Sequence, residues 1–190
     1  MRFLSVLSIL FLTNLSISAQ TTTPTTPSSP TTPTSAPVVQ PDAKVSSYIG
    51  IVHPLVTFQG GKKPAINFDG FYQVGVSTAV IVKRSPKFAY NFEIIPFVRR
   101  QNGTARLANV LFHPGVTFFL KNNYSFTSRI GLETNGRFGF STVFGKTVWK
   151  GKFNNFSVVV PILFRFGSTT NPLVNDKASA TLALNLTYGF

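Results

Sequence analysis

Thr181-Leu182-Ala183-Leu184-Asn185-Leu186-Thr187-Tyr188-Gly189-Phe190 decides how this chain folds. Leu182, Leu184, Leu186, Tyr188 and Phe190 alternate with Thr181, Ala183, Asn185, Thr187 and Gly189. A strand built from this stretch has one greasy face and one small or polar face. In water such a strand at a chain end leaves a sticky edge. Closing a barrel in lipid removes that edge, because every backbone group then pairs within the sheet. The stretch therefore predicts the last strand of a transmembrane β-barrel.

Working upstream, the same texture runs back to Val45. Phe, Val, Ile and Thr alternate with small or polar residues in eight runs. They span Ser46 to Phe58, Gly70 to Lys83, Phe88 to Arg99, Ala108 to Leu120, Tyr124 to Thr134, Arg137 to Val148, Phe153 to Phe166 and Lys177 to Phe190. The sixth is the least regular. Each is long enough to cross a bilayer at a tilt, which takes about 9–11 residues. Arg84-Ser85-Pro86-Lys87 and Lys121-Asn122-Asn123 read as tight turns. Gln59 to Asp69, Arg100 to Leu107 and Gly167 to Asp176 read as longer loops. That asymmetry suits a transmembrane barrel, with short periplasmic turns and longer outer loops. Asn135-Gly136, a hairpin dipeptide, breaks it.

Alternation does not say which face points outward, and a soluble lipocalin-like barrel would carry its apolar face inside. Three features favour the inverted arrangement: the run lengths, the near absence of charge on the greasy face, and aromatics at strand ends. With the last strand ending in the periplasm, the inner girdle holds Tyr48, Phe88, Tyr90, Phe118, Tyr124, Phe126, Phe156, Tyr188 and Phe190. The outer girdle holds Phe58, Tyr72, Phe164 and Phe166. Such belts sit at lipid–water boundaries.

Taken together, these runs and the terminal Tyr-x-Phe strand resemble the small outer-membrane β-barrel proteins of Gram-negative bacteria, such as OmpX-like barrels and the OmpA transmembrane domain. The resemblance covers residues 45–190 and rests on pattern rather than on a diagnostic motif. It implies an all-β, eight-stranded, antiparallel, up-and-down transmembrane barrel in the outer membrane, among lipids that include lipopolysaccharide. It also implies that the barrel-assembly machinery reads the last strand, here Leu182, Leu184, Leu186, Tyr188 and Phe190. Unlike full-length OmpA, the chain is not expected to carry a periplasmic peptidoglycan-binding domain after the barrel, nor to anchor to the wall through one.

Ahead of the barrel, residues 1–19 read as a secretory signal peptide: Arg2, an apolar stretch from Phe3 to Leu15, then Ser18-Ala19 before Gln20. Ile17 at the position three before the cut is less usual than alanine. Residues 20–44 form a Thr/Pro/Ser tract too rich in proline for helix or sheet. At about 3.1 Å per residue an extended tether of this kind reaches roughly 70 Å. An even strand count puts it in the periplasm. Cysteine is absent, so neither disulfides nor a lipoprotein anchor is expected.

The formal net charge is +13. Concentrated basicity would suggest nucleic acid, but here the bases are dispersed over strand ends and connections: Lys62-Lys63, Lys83-Arg84, Arg99-Arg100, Lys146, Lys150 and Lys152. No nucleic-acid partner is expected. In a barrel these positions meet phosphate-bearing headgroups, at about 1 kcal/mol each.

The mid-strand charges fall on the lumen parity: Glu93, His113, Arg129, Glu133 and Arg165. Pairing adjacent strands sets Glu93 near His113 or Gly115, His113 near Gly131, and Leu111 near Glu133. Glu93, His113, Arg129 and Glu133 then share one polar cluster in a lumen that eight strands leave just wide enough for side chains. A salt-bridged plug is the expected role. A catalytic Glu–His pair is the alternative, and no nucleophile is placed for it.

His53-Pro54-Leu55-Val56-Thr57-Phe58 is echoed by His113-Pro114-Gly115-Val116-Thr117-Phe118. Both copies are expected to put His and Thr on the polar face. Two histidines without a suitable carboxylate make a poor metal site, so no metal and no cofactor is expected. Gly145-Lys146-Thr147 lacks the upstream glycine of a P-loop, and no G-x-S-x-G occurs. The chain reads as a non-enzymatic envelope barrel with a structural or surface-interaction role and a side-chain-filled lumen. A membrane-lipid-modifying barrel enzyme and a soluble secreted ligand-binding barrel are the alternatives.

Overall fold

A computed structural model describes residues 44–167 and 178–190. The expected signal peptide, all of the expected tether but Lys44, and most of the connection at 167–176 lie outside the described residues. Eight long strands follow one another: β1 (Lys44–Gln59), β2 (Phe71–Ser85), β3 (Phe88–Gln101), β4 (Thr104–Phe119), β5 (Tyr124–Glu133), β6 (Phe138–Lys150), β7 (Asn155–Phe166) and β8 (Ser179–Gly189). Each pairs antiparallel with its sequence neighbours, and β1 also pairs with β8. The sheet closes into the expected all-β, eight-stranded, up-and-down barrel. A two-residue segment, Ala65–Ile66, folds back on Val56 and Thr57 of β1. It pairs β1 beyond Val52, where the register with β2 ends. Among the described residues no helix is long and apolar enough to cross a membrane.

The strands are staggered as well as paired. The hydrogen-bonded row that leaves Val45 runs through Val82, Tyr90, Val116, Ser128, Thr142, Ile162 and Leu182. It returns to β1 at Val56 rather than at Val45. That offset is the shear a closed, tilted barrel requires. We call the end carrying Lys44 and Gly189 proximal, and the other distal.

Alternation sorts the side chains cleanly. Ile49, Ile51, Val76, Val80, Tyr90, Phe92, Ile130, Leu132, Phe140, Phe144 and Leu186 are exposed on the outer wall. Ser77, Ala89, Asn91, Glu93, Leu111, His113, Arg129, Ser141 and Asn185 are buried in the lumen. The outward Leu, Val and Phe rows expected from the sequence are therefore outward, and both mid-strand glutamates point in. Outer-wall aromatics pair across strands: Phe88 with Phe118 at 5.5 Å between ring centroids, Phe126 with Phe144 at 5.2 Å, and Phe140 with Phe164 at 4.8 Å. Such cross-strand contacts are the unit of sheet stabilisation.

The backbone departs from the sequence expectations at three points. Gln101 and Thr104 pair directly, so Arg100 to Leu107 is not a long loop. Asn102 and Gly103 take φ of 50° and 77°, the left-handed pair that a two-residue hairpin turn demands. Conversely, Asn135-Gly136 belongs to a three-residue connection: the Glu133 amide donates to the Arg137 carbonyl at 2.8 Å, with Gly136 at φ 90°. Finally, β1 bulges between Pro54 and Val56. The extra residue exchanges faces, so Thr57 pairs with Thr181 while His53 pairs with Leu184, on the outer rows. His53 therefore does not share the polar face with Thr57, and the echo with His113 is one of sequence only.

Candidate functional site in the barrel lumen

The site grows from two adjacent lumen rows. One runs Tyr48–Ala79–Glu93–His113 across β1 to β4. The next runs Asn91–Gly115–Arg129–Ser141 across β3 to β6. Small residues at Ala79 and Gly115 leave room for the long ones to reach across. A Cβ on Gly115 would collide with the Ser128 carbonyl oxygen and lie 2.6 Å from Arg129 Cγ, so only glycine lets the Arg129 stem pass.

Glu93 is the hub. Tyr48 Oη donates to Oε1 at 2.6 Å, and Arg129 Nη1 donates to Oε2 at 2.8 Å. His113 Nδ1 lies 3.2 Å from the same Oε2. Arg129 also donates from Nη2 to Tyr48 Oη at 2.9 Å and from Nε to Asn91 Oδ1 at 3.2 Å. Ser141 Oγ sits 2.8 Å from His113 Nε2. A carboxylate facing Nδ1 requires the imidazole proton there, which leaves Nε2 to accept the Ser141 hydroxyl. The charges of Glu93 and Arg129 balance, and each is hydrogen-bonded on several sides, which is what lets a buried pair persist.

Glu133 does not join this group. It pairs with Leu111, as the sequence predicts, but its partner is Arg165, whose Nε donates to Oε1 at 2.7 Å. Arg165 Nη1 reaches the carbonyls of Phe164 at 3.0 Å and Phe140 at 3.3 Å. Gly131 makes space for it, since a Cβ there would lie 2.9 Å from Arg165 Cζ. The expected single cluster is thus two. An apolar layer of Val52, Ile95, Phe97, Leu111, Leu163 and Ala183 fills the lumen distal to the Glu93 hub. Nearby, Arg137 Nη2 donates to Ser179 Oγ at 2.7 Å.

On the proximal side of the hub the lumen is not filled. A cavity of about 350 Å³ opens there, with Tyr48, Asn91 and Arg129 at its floor and hydroxyl-bearing walls. This corrects the expectation of a lumen packed throughout: packing holds from the hub through the apolar layer.

Tyr48, Asn91, Ser141 and Arg137 are lumen residues that sequence reasoning did not assign to the site. Tyr48 was expected in the aromatic girdle. Its parity with Gly50 and Val52 was the signal that it points inward. Ser141 was hidden by the turn: a two-residue hairpin at Asn135-Gly136 would set Thr142 opposite Arg129, whereas the three-residue turn sets Ser141 there.

Chemically, Ser141, His113 and Glu93 form the hydroxyl–imidazole–carboxylate relay of an activated nucleophile. Here Ser141 is 0 % exposed, and neither it nor His113 lines the proximal cavity. In this arrangement the relay locks the barrel's waist. Among the described residues no three of His, Asp and Glu converge to hold a metal ion. No protein-family model matches the chain, and no curated protein matches it.

Proposed function

We propose that the protein is an outer-membrane β-barrel of a Gram-negative envelope, with a structural or surface-interaction role and a lumen sealed at its waist by the Glu93 network. The observation that carries this reading is the polarity of the wall. Large apolar side chains cover the outside on every strand, among them Ile130 at 62 % exposure, Phe138 at 55 % and Phe144 at 53 %. A soluble monomer rarely exposes a contiguous apolar patch beyond a few hundred Å², and lipid is the solvent in which such a wall is stable. The proximal end then faces the periplasm. The outward Leu182, Leu184, Leu186 and Tyr188, with Phe190, are the segment that barrel-assembly machinery would engage. Lipopolysaccharide and phospholipid are the surrounding partners, and nucleic acid is not one.

Cell fractionation with gel electrophoresis of unheated and boiled samples tests this. The expected result is outer-membrane recovery and a heat-dependent mobility shift. Recovery as a soluble periplasmic or secreted protein without the shift would favour the lipocalin-like reading instead.

A second reading, a membrane-lipid-modifying enzyme, is favoured by the Ser141–His113–Glu93 relay and opposed by its burial. Labelling of the folded barrel by a fluorophosphonate, lost in Ser141→Ala without loss of folding, would establish it. Absence of labelling leaves the structural role.

A further inference from the structure

The proximal cavity has a chemistry that sealing the waist does not require. Its walls carry hydroxyls in facing pairs: Thr117 Oγ1 and Thr127 Oγ1 at 2.9 Å, and Thr147 Oγ1 and Ser157 Oγ at 3.0 Å. Asn91, Asn155 and Asn185 are also among the residues that line it. Its mouth carries Lys83 and Lys150. Both face inward for structural reasons. Lys83 lies on the β2 parity of Ser77 and Ala79, with Nζ 5.0 Å from the Phe119 ring centroid. Lys150 is turned in by a bulge between Thr147 and Trp149, which sets it opposite Asn155. Neither lysine is in an ion pair among the described residues, and no Asp or Glu lines the cavity.

Around this mouth stand Lys44, Arg84, Lys87, Lys121, Lys146 and Lys152, and the described proximal connections hold no acid. A low-dielectric cleft lined by one sign of charge focuses the field and raises the local concentration of the opposite ion. Ammonium groups are compact point charges with three rotatable donors, and they bind phosphate oxygens without demanding one fixed geometry. The volume sits at the lower end of small-molecule sites, which run to about 300–1,000 Å³.

We propose that the proximal cavity binds a small phosphate-bearing polyol, with Lys83 and Lys150 holding the phosphate and the threonine, serine and asparagine walls holding the hydroxyls. The site is a property of the lumen and does not depend on where the barrel resides.

Titration of glycerol 3-phosphate into the folded, detergent-solubilised full chain, followed calorimetrically, tests it. Saturable binding is expected, falling with added salt. It should weaken at least tenfold in Lys83→Gln/Lys150→Gln and persist in Lys146→Gln, whose side chain lies outside the lumen over the Tyr124 ring. Thr127→Val should weaken glycerol 3-phosphate and leave inorganic phosphate unchanged. Both lysines lie at the rim, and the β-sheet signal in far-ultraviolet circular dichroism with a cooperative thermal transition checks that each variant is folded. The proposal is overturned by absence of binding at millimolar concentration, by undiminished binding in the double lysine variant, or by inorganic phosphate binding as tightly as glycerol 3-phosphate. Once lysine-dependent binding is found, micelles doped with phosphatidylglycerol separate the sources. Displacement of the soluble ligand makes the site a headgroup site, and failure to displace makes it a site for free solute.

Discussion

Phe92 and Glu93 are consecutive residues in one strand, yet they live in opposite worlds. Phe92 is 47 % exposed on the outer wall and Glu93 is 1 % exposed at the hub of the lumen. The wall needs only apolar bulk, and its residues are nearly interchangeable. The lumen needs particular partners at particular distances, because each buried polar group must be satisfied by another. The period of a strand delivers both faces from one stretch of sequence, and the comparison teaches that the two should respond differently to substitution.

The largest effect is expected at the hub. Glu93→Ala leaves Arg129 buried without its counter-ion, and breaking a buried pair in this way costs about 3–5 kcal/mol. Urea unfolding of the vesicle-reconstituted barrel measures it. A loss under 1 kcal/mol would mean that the network is not what holds the waist. Next comes the wall. Phe92→Arg should cost about 2–4 kcal/mol in a bilayer, whereas Phe92→Leu should be close to neutral. Equal tolerance of both would break the comparison, since a wall in water accepts arginine readily. Third is the space between the faces. Gly115→Ala forces the Arg129 stem or the β5 backbone to move and should cost about 1–3 kcal/mol, as overpacking does. Smallest is Ser141→Ala, which removes one hydrogen bond to His113 and should cost about 1 kcal/mol. A Ser141 effect as large as that of Glu93 would point to a role beyond packing.

The two faces were also unequally legible in the sequence. Alternation gave the strands, their number and the outward rows, because hydrophobic period is a local property of side chains. It also put Glu93, His113, Arg129, Glu133 and Arg165 on the inward parity. The contacts among them depend on register, and register depends on backbone irregularities that no side-chain pattern reveals. The bulge beside Leu55 turned His53 outward, and a third residue in the Thr134–Gly136 turn chose Ser141 rather than Thr142 for the lumen. Tyr48 was obscured differently. An aromatic near a strand end fits a girdle as well as a hydrogen-bonded lumen, and only its tie to Glu93 and Arg129 separates the two. Asn102-Gly103 carried its hairpin signal openly, but the polar residues after it resembled a loop.

The central claim is that the outer rows meet hydrocarbon. Trp149 is the chain's single tryptophan, so Phe92→Trp in a Trp149→Phe background gives one fluorophore on the wall at the height of the hub. Reconstituted in vesicles with brominated acyl chains, it should be strongly quenched by the lipid and untouched by aqueous iodide. Quenching by iodide with no effect of the brominated chains would place that wall in water and contradict the account.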